Sequence, residues 1–194
     1  MQEKSNLNFQ LACLILGQLL FSCSTFFWTE SGTYSVNSAT FMFLSMVFWA
    51  LGFVGLFGQL SSQLPIYSRI GLLYALYGAF GGSAFAMEGL FIEVFGLSEK
   101  AGVEASESFP LALNLIMYQS GPAFPLSLLI LGIVLAYKKK VNWVSGLLLS
   151  SSGLAFPLGR ILRKIEVAHL TDFLLLVAVL WISLQLRKRA ANKV

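Results

Sequence analysis

The chain has 194 residues, of which 57% are hydrophobic and only 11% charged, less than half the roughly 25% charge of an ordinary soluble domain. So little charge cannot cover a water-exposed surface, and the composition excludes a soluble globular protein. The net charge of +4 sits in short runs at the ends of apolar segments, with no basic face interleaved with exposed aromatics. That pattern sets membrane orientation and argues against nucleic acid as a partner.

Six segments reach the ~20 predominantly apolar residues that a membrane-spanning helix needs, at roughly 7–28, 37–60, 68–95, 110–137, 141–160 and 167–186. They predict an all-α polytopic membrane protein, a six-transmembrane-helix bundle forming a single transmembrane domain. The first segment follows Lys4 and passes through Leu20-Phe21-Ser22-Cys23, the outline of a lipoprotein signal. Phe21 fits such a signal poorly, so the segment is read as the first membrane helix. Cys13 and Cys23 lie ten residues apart on it, about 15 Å of helical rise, too far for a disulfide. The chain has no CxxC and no His/Cys cluster, which excludes a structural zinc site and a thioredoxin-like redox motif.

The third segment is the longest and is expected to tilt or to emerge from the bilayer. Gly78 and Gly82 on it, and Gly146 and Ser150 on the fifth, are pairs four residues apart, a spacing that lets helix backbones touch in lipid. The longest connection, 96–109, is acidic, with Glu99, Glu104 and Glu107. On the fourth segment Asn114, Tyr118, Gly121 and Pro125 follow one another at steps of four, three and four, which puts them on one face. That face suits a pocket wall, and a packing seam would look the same.

An internal echo joins the fourth and fifth segments. Ser120-Gly121-Pro122-Ala123-Phe124-Pro125-Leu126 recurs as Ser152-Gly153-Leu154-Ala155-Phe156-Pro157-Leu158. Each proline frees a backbone carbonyl and bends its helix, and in a membrane such carbonyls must face protein, water or a ligand. Opposed broken helices near the midplane resemble transporter binding sites.

Counting Lys and Arg orients the chain. With the N-terminus inside, nine of the thirteen lie on the inner side: Lys4, Arg69, Lys138, Lys139, Lys140, Arg187, Lys188, Arg189 and Lys193. Lys100, Arg160, Arg163 and Lys164 lie outside. The bias predicts an inner (plasma) membrane protein with both termini cytoplasmic.

The outer half then collects the ionisable groups of four segments: Glu88 and Glu93; Asn114, Tyr118 and Gln119; Arg160, Arg163 and Lys164; Glu166, His169 and Asp172. Glu88 stands about seven residues inside the helix end, roughly 10 Å deep, where a charge is costly unless paired or hydrated and points to function. It is expected to pair with Arg160, either as part of a site or as a packing staple. Asp172 is expected to bond its own backbone, to cap its helix or to pair with His169. The candidate ligand-binding set is therefore Glu88, Arg160, His169, Asp172, Asn114, Tyr118 and Gln119, for a small, lipophilic or anionic ligand that is bound or transported.

His169 is the only histidine, which argues against bis-histidine haem, and the paired Glu and His residues of a di-iron site are missing. No cofactor and no metal are expected. Expected partners are membrane lipids and a small-molecule ligand, with a homo-oligomer or a structural, partner-binding role left open.

Two resemblances add expectations. Tyr118-Gln119-Ser120-Gly121 and Ala168-His169 resemble the Gly-x-Ser-Gly and Ala-His motifs of rhomboid intramembrane proteases. That resemblance implies a catalytic Ser120/His169 dyad in which the histidine activates the hydroxyl. The chain departs from the pattern at Tyr118, at Thr171 and Asp172, and in a second segment without histidine, which removes the expected oxyanion donors. Gly-Pro-Ala-Phe-Pro-Leu at 121–126, Phe-Pro-Leu-Gly-Arg at 156–160 and Ala-His-Leu-Thr-Asp at 168–172 resemble small, uncharacterised bacterial six-helix inner-membrane proteins. This second resemblance implies the fold and brings no activity.

Overall fold

The computed structural model describes residues 2–30, 32–96 and 109–192. Lys100, Glu99, Glu104, Glu107 and Lys193, assigned to loops and the C-terminus above, lie outside the described residues. Six helices long and apolar enough to cross a membrane form among the described residues. They are α1 (Gln2–Thr25), α2 (Val36–Gly58), α3 (Pro65–Val94), α4 (Pro110–Tyr137), α5 (Trp143–Leu162) and α6 (Ile165–Ala191). The chain is thus an all-α, multi-pass membrane protein.

Local chemistry starts and stops these helices where the bilayer requires it. The Ser35 hydroxyl accepts from the Ser38 amide at 3.2 Å and caps α2. The Asn142 side chain accepts from the Ser145 amide at 2.8 Å and caps α5. Pro65 and Pro110 open α3 and α4 at positions where an amide would lack a partner anyway. The α5–α6 turn is very tight: Arg163 takes a left-handed conformation (φ 51°), Lys164 is extended, and α6 begins at Ile165. The Glu93 carboxylate at the end of α3 accepts from the Val36 amide and so places a negative charge at the start of α2.

The helices form a closed ring in chain order: each packs on its neighbours in sequence and α6 closes on α1. Six crossings put both termini at one face, here called the terminal face. Large apolar side chains cover the outside of the ring, among them Phe43, Leu51, Leu73, Phe80, Ile130, Leu147 and Leu184. Such a continuous apolar surface requires lipid as its solvent.

The core is an aromatic cluster that links four helices. Phe21 of α1 packs on Phe156 of α5 (ring centroids 5.4 Å apart), Phe156 on Phe124 of α4 (5.6 Å), and Phe124 on Trp49 (5.1 Å) and Phe53 (5.6 Å) of α2. Small residues permit the close crossings that lipid-phase packing needs. Gly78 of α3 lies against the backbone of Phe124, and Gly82 against Met46 of α2. Gly146 of α5 meets Gly132 and Ala136 of α4. The Ser150 hydroxyl crosses from α5 to α4 to donate to the Leu129 carbonyl at 2.8 Å.

The fourth helix is not uniform. Residues Asn114–Tyr118 form a π-helical turn, closed by the Gln119 amide donating to the Asn114 carbonyl at 2.8 Å. The cause lies just downstream, since Pro122 and Pro125 have no N–H to offer the carbonyls of Tyr118 and Gly121. Widening the turn before them accommodates the lost hydrogen bonds.

Candidate functional site

The half of the bundle away from the termini holds a buried ion pair and, beside it, a cavity of about 900 Å³. Arg160, in the last turn of α5, points its guanidinium at Asp172 of α6. Nη2 lies 3.1 Å from Oδ1 and 3.3 Å from Oδ2. The Asp172 side chain is only 1% exposed and that of Arg160 13%. Thr25 of α1 completes a triangle: its hydroxyl donates to Asp172 Oδ2 at 2.6 Å and accepts from Arg160 Nη1 at 3.2 Å. Gln18, two helical turns before Thr25 on α1, donates to the Asp172 carbonyl at 3.1 Å and to the Ser22 hydroxyl at 3.2 Å.

Aromatic rings enclose what remains of the guanidinium. It lies over Phe21 and Trp28 at 4.6 Å each and over Phe156 at 5.3 Å. These contacts suit a weakly hydrated, planar cation and would not suit lysine equally well. The arrangement fastens α1, α5 and α6 together at one level.

This geometry changes the partner expected for Arg160. Its carboxylate is Asp172 rather than Glu88, because the short turn at 163–164 makes α5 and α6 an antiparallel hairpin. The ring order leaves α3 away from α5, and Glu88 lies on the α3 wall of the cavity while Arg160 lies on the α5 wall. Asp172 therefore neither caps its helix nor pairs with His169. The His169 ring packs on Phe26 instead, with centroids 4.3 Å apart.

The other expected residues divide. Tyr118 lines the cavity and is exposed. Asn114 and Gln119 are exposed, and the Asn114 amide donates to its own helix at the Pro110 carbonyl, 2.8 Å away. Ser120 is fully buried; its hydroxyl donates to the carbonyls of Ile116 and Met117 and faces Gly81 of α3. With His169 of α6 packed against Phe26, which follows α1, and the Ser120 hydroxyl bonded within its own helix, the structure does not bring Ser120 and His169 together as nucleophile and base. Sequence reasoning missed Thr25, Trp28, Tyr34 and Gln18. Only Gln18, an amide in mid-helix, carried a signal that could have found it.

The cavity lies among the far halves of α2, α3, α4 and α5, against Gly32, Thr33 and Tyr34 of the first connection. The two echoed heptapeptides build much of it: Gly121, Phe124 and Pro125 of the first copy and Gly153, Phe156 and Pro157 of the second all line it. Phe124 and Phe156 are also the top of the aromatic core, so the cavity floor and the core are one layer. The deep wall is apolar, with Met42, Met46, Gly78 and Leu129, while the rim holds Tyr34, Glu88, Arg160 and Arg163.

The rim is held in place by the first connection, where Gly32 (φ 74°) lies so close to Arg163 that a Cβ there would come within 2.7 Å of the Arg163 carbonyl. Burial pushes the Tyr34 phenol above its ordinary range, with the Arg160 guanidinium opposing the shift. A raised folded-state pKa means stability that is fully present below the unfolded value of about 10 and is lost as pH rises through the folded value. The stability difference between the wild type and Tyr34→Phe should therefore be independent of pH up to about 10. Above that, the wild type should lose stability faster than the variant, and equal slopes would show that Tyr34 is not desolvated. At neutral pH the phenol is a hydrogen-bond donor.

No protein-family model, curated protein or solved structure matches this chain, so the meaning of the site rests on its own geometry.

Proposed function

We propose that this protein binds a small, lipophilic ligand in the far-half cavity and holds or passes it within a bacterial inner membrane, with both termini cytoplasmic. The observation that carries this reading is the cavity itself. Its volume of about 900 Å³ falls in the range of roughly 300–1,000 Å³ typical of ligand sites, as does its combination of apolar walls with a few convergent polar groups. The two-to-one excess of Lys and Arg at the terminal face supports the orientation. The separation of Ser120 from His169 favours binding over hydrolysis.

Native mass spectrometry of gently extracted protein tests the reading. A molecule other than bulk lipid should co-purify with the wild type and be lost from Leu154→Trp, whose indole would fill the space that Leu154 borders. A wild-type protein that carries nothing, and takes up no added lipophile that Leu154→Trp excludes, would overturn it.

A further inference from the structure

The terminal face carries a charge asymmetry greater than membrane orientation demands. The stretches on that side of the spans, 2–6, 59–69, 138–142 and 187–192, hold eight Lys and Arg residues and one acidic residue, Glu3. In chain order the other eight Asp and Glu residues all fall in the far halves of the spans or in the far-side connections. Lys and Arg set orientation, and Asp and Glu contribute little to it. Insertion therefore explains the basic excess and leaves the exclusion of acids unexplained.

Five of these cations gather where the α4–α5 turn meets the end of α6. Lys138 and Lys139 follow α4, while Arg187, Lys188 and Arg189 are exposed on the last turns of α6. Side-chain bonds from α6 bring the two groups to one level. The Gln185 side chain accepts from the Asn142 amide at 2.8 Å and donates to the Ser145 hydroxyl at 2.9 Å. One turn further on, the Arg189 guanidinium donates to the Lys139 carbonyl. None of the five forms an ion pair among the described residues. The C-terminal dipoles of α4 and α6 offer roughly half a negative charge each, too little to balance them.

Lys139 stands in a position that favours glycine. Its backbone is left-handed (φ 54°), which lets its own amide donate to the Ala136 carbonyl at 2.9 Å and the Lys140 amide to the Leu135 carbonyl at 2.8 Å. Glycine closes a helix in this way without strain and is the usual residue there. A lysine keeps a charge at this point at a cost in backbone strain.

The patch lies at the level of lipid headgroups. Tyr137 and Trp143 are exposed on either side of the turn, the position that interfacial aromatics take at a bilayer surface, and Lys138 Nζ lies 5.2 Å from the centre of the Tyr137 ring. Just inside that level Ile133 of α4, Leu147 of α5 and Leu184 of α6 are exposed, an apolar surface for acyl chains.

We propose that the α4–α5 turn and the end of α6 bind the headgroup of an anionic phospholipid from the adjoining leaflet. Cationic clusters beside a spanning helix attract such lipids. A zwitterionic headgroup brings its own cation to the same place and is disfavoured. A free anion would leave the apolar surface below the charges unused.

Native mass spectrometry of the purified full-length protein in a non-ionic detergent tests the proposal, with phosphatidylglycerol and phosphatidylcholine of matched chains as probes. Phosphatidylglycerol should bind tighter by about thirtyfold or more. Lys139→Gln with Arg187→Gln removes two charges at about 1 kcal/mol each, and should weaken phosphatidylglycerol about thirtyfold while leaving phosphatidylcholine unchanged. Lys139→Arg with Arg187→Lys keeps both charges and should bind like the wild type, which separates lost charge from lost folding. Leu154→Trp, in the cavity, should keep the preference.

Equal binding of the two lipids, or a preference that survives Lys139→Gln with Arg187→Gln, would overturn the proposal. Loss of phosphatidylglycerol from Leu154→Trp would place the lipid in the cavity instead. Displacement by inorganic phosphate, but not by chloride of equal ionic strength, would make the patch a site for a free anion. Tighter binding of polyglutamate than of phosphatidylglycerol would assign it to an acidic protein segment.

Discussion

Asp172→Leu is expected to destabilise the protein by about 3–5 kcal/mol, the usual cost of stranding one partner of a buried ion pair. The carboxylate is 99% buried and takes hydrogen bonds from both Thr25 and Arg160, so its loss leaves a guanidinium enclosed by Phe21, Trp28 and Phe156 with no counter-charge. Much of the loss should be recovered in the double variant Arg160→Met, Asp172→Leu, since a buried pair and an apolar pair of similar volume are often equivalent. Thr25→Val should cost about 1 kcal/mol, one hydrogen bond's worth. Denaturant titrations in a fixed detergent micelle would read all four proteins. A single Asp172→Leu variant as stable as the wild type would mean that the triangle does not hold α1, α5 and α6 together.

Gly78→Ala should be strongly damaging for a one-methyl change. A Cβ at this position overlaps the backbone nitrogen of Phe124, and backbone inside a packed helix cannot swing aside as a side-chain tip can. Overpacking of this kind costs about 1–3 kcal/mol, with the upper end expected because α4 must shift bodily. That shift would carry Phe124, and with it the cavity floor, so ligand retention should fall together with stability. Two glycines serve as controls in the same melting assay. Gly121→Ala meets nothing closer than 3.4 Å and Gly58→Ala meets nothing within 4 Å; both should be neutral or stabilising, by up to ~1 kcal/mol where helix propensity dominates. A Gly78→Ala protein indistinguishable from Gly121→Ala would show that the α3–α4 crossing is not close-packed.

The two variants probe the two sides of one design. The triangle on α1, α5 and α6 is a stapled corner, whereas the cavity lies among the far halves of α2, α3, α4 and α5, beside the prolines and the π-helical turn of α4.

Much of this was legible in the amino-acid order. Hydropathy is a local property, so the six spans and their approximate ends followed from it directly. The structure shifts the ends by several residues, beginning α1 at Gln2 and carrying α6 on to Ala191, because residues such as Gln, Glu, Lys, Arg and Ala favour the helix without being apolar. The small-residue pairs were readable for the same reason, since the spacing that brings Gly78 and Gly82 to one helix face is a property of the helix alone. The echo of 120–126 in 152–158 was readable too, and residues of both copies line the cavity.

Which groups meet across the bundle was not legible. That Arg160 needed a carboxylate followed from the cost of a charge in lipid; that the carboxylate is Asp172 and not Glu88 depended on the ring order and on how far each helix is rotated about its axis. Thr25 and Trp28 looked like ordinary residues at a helix end until α6 closed on α1 and brought them to Arg160. Ser120 and His169 matched a motif in one dimension and ended on helices that are not neighbours. The sequence by itself determined the solvent, the number of crossings and the residues too costly to leave alone, because each is a property of one segment in its surroundings. The tertiary structure alone decided the partners, because pairing depends on the relative positions of helices far apart in the chain.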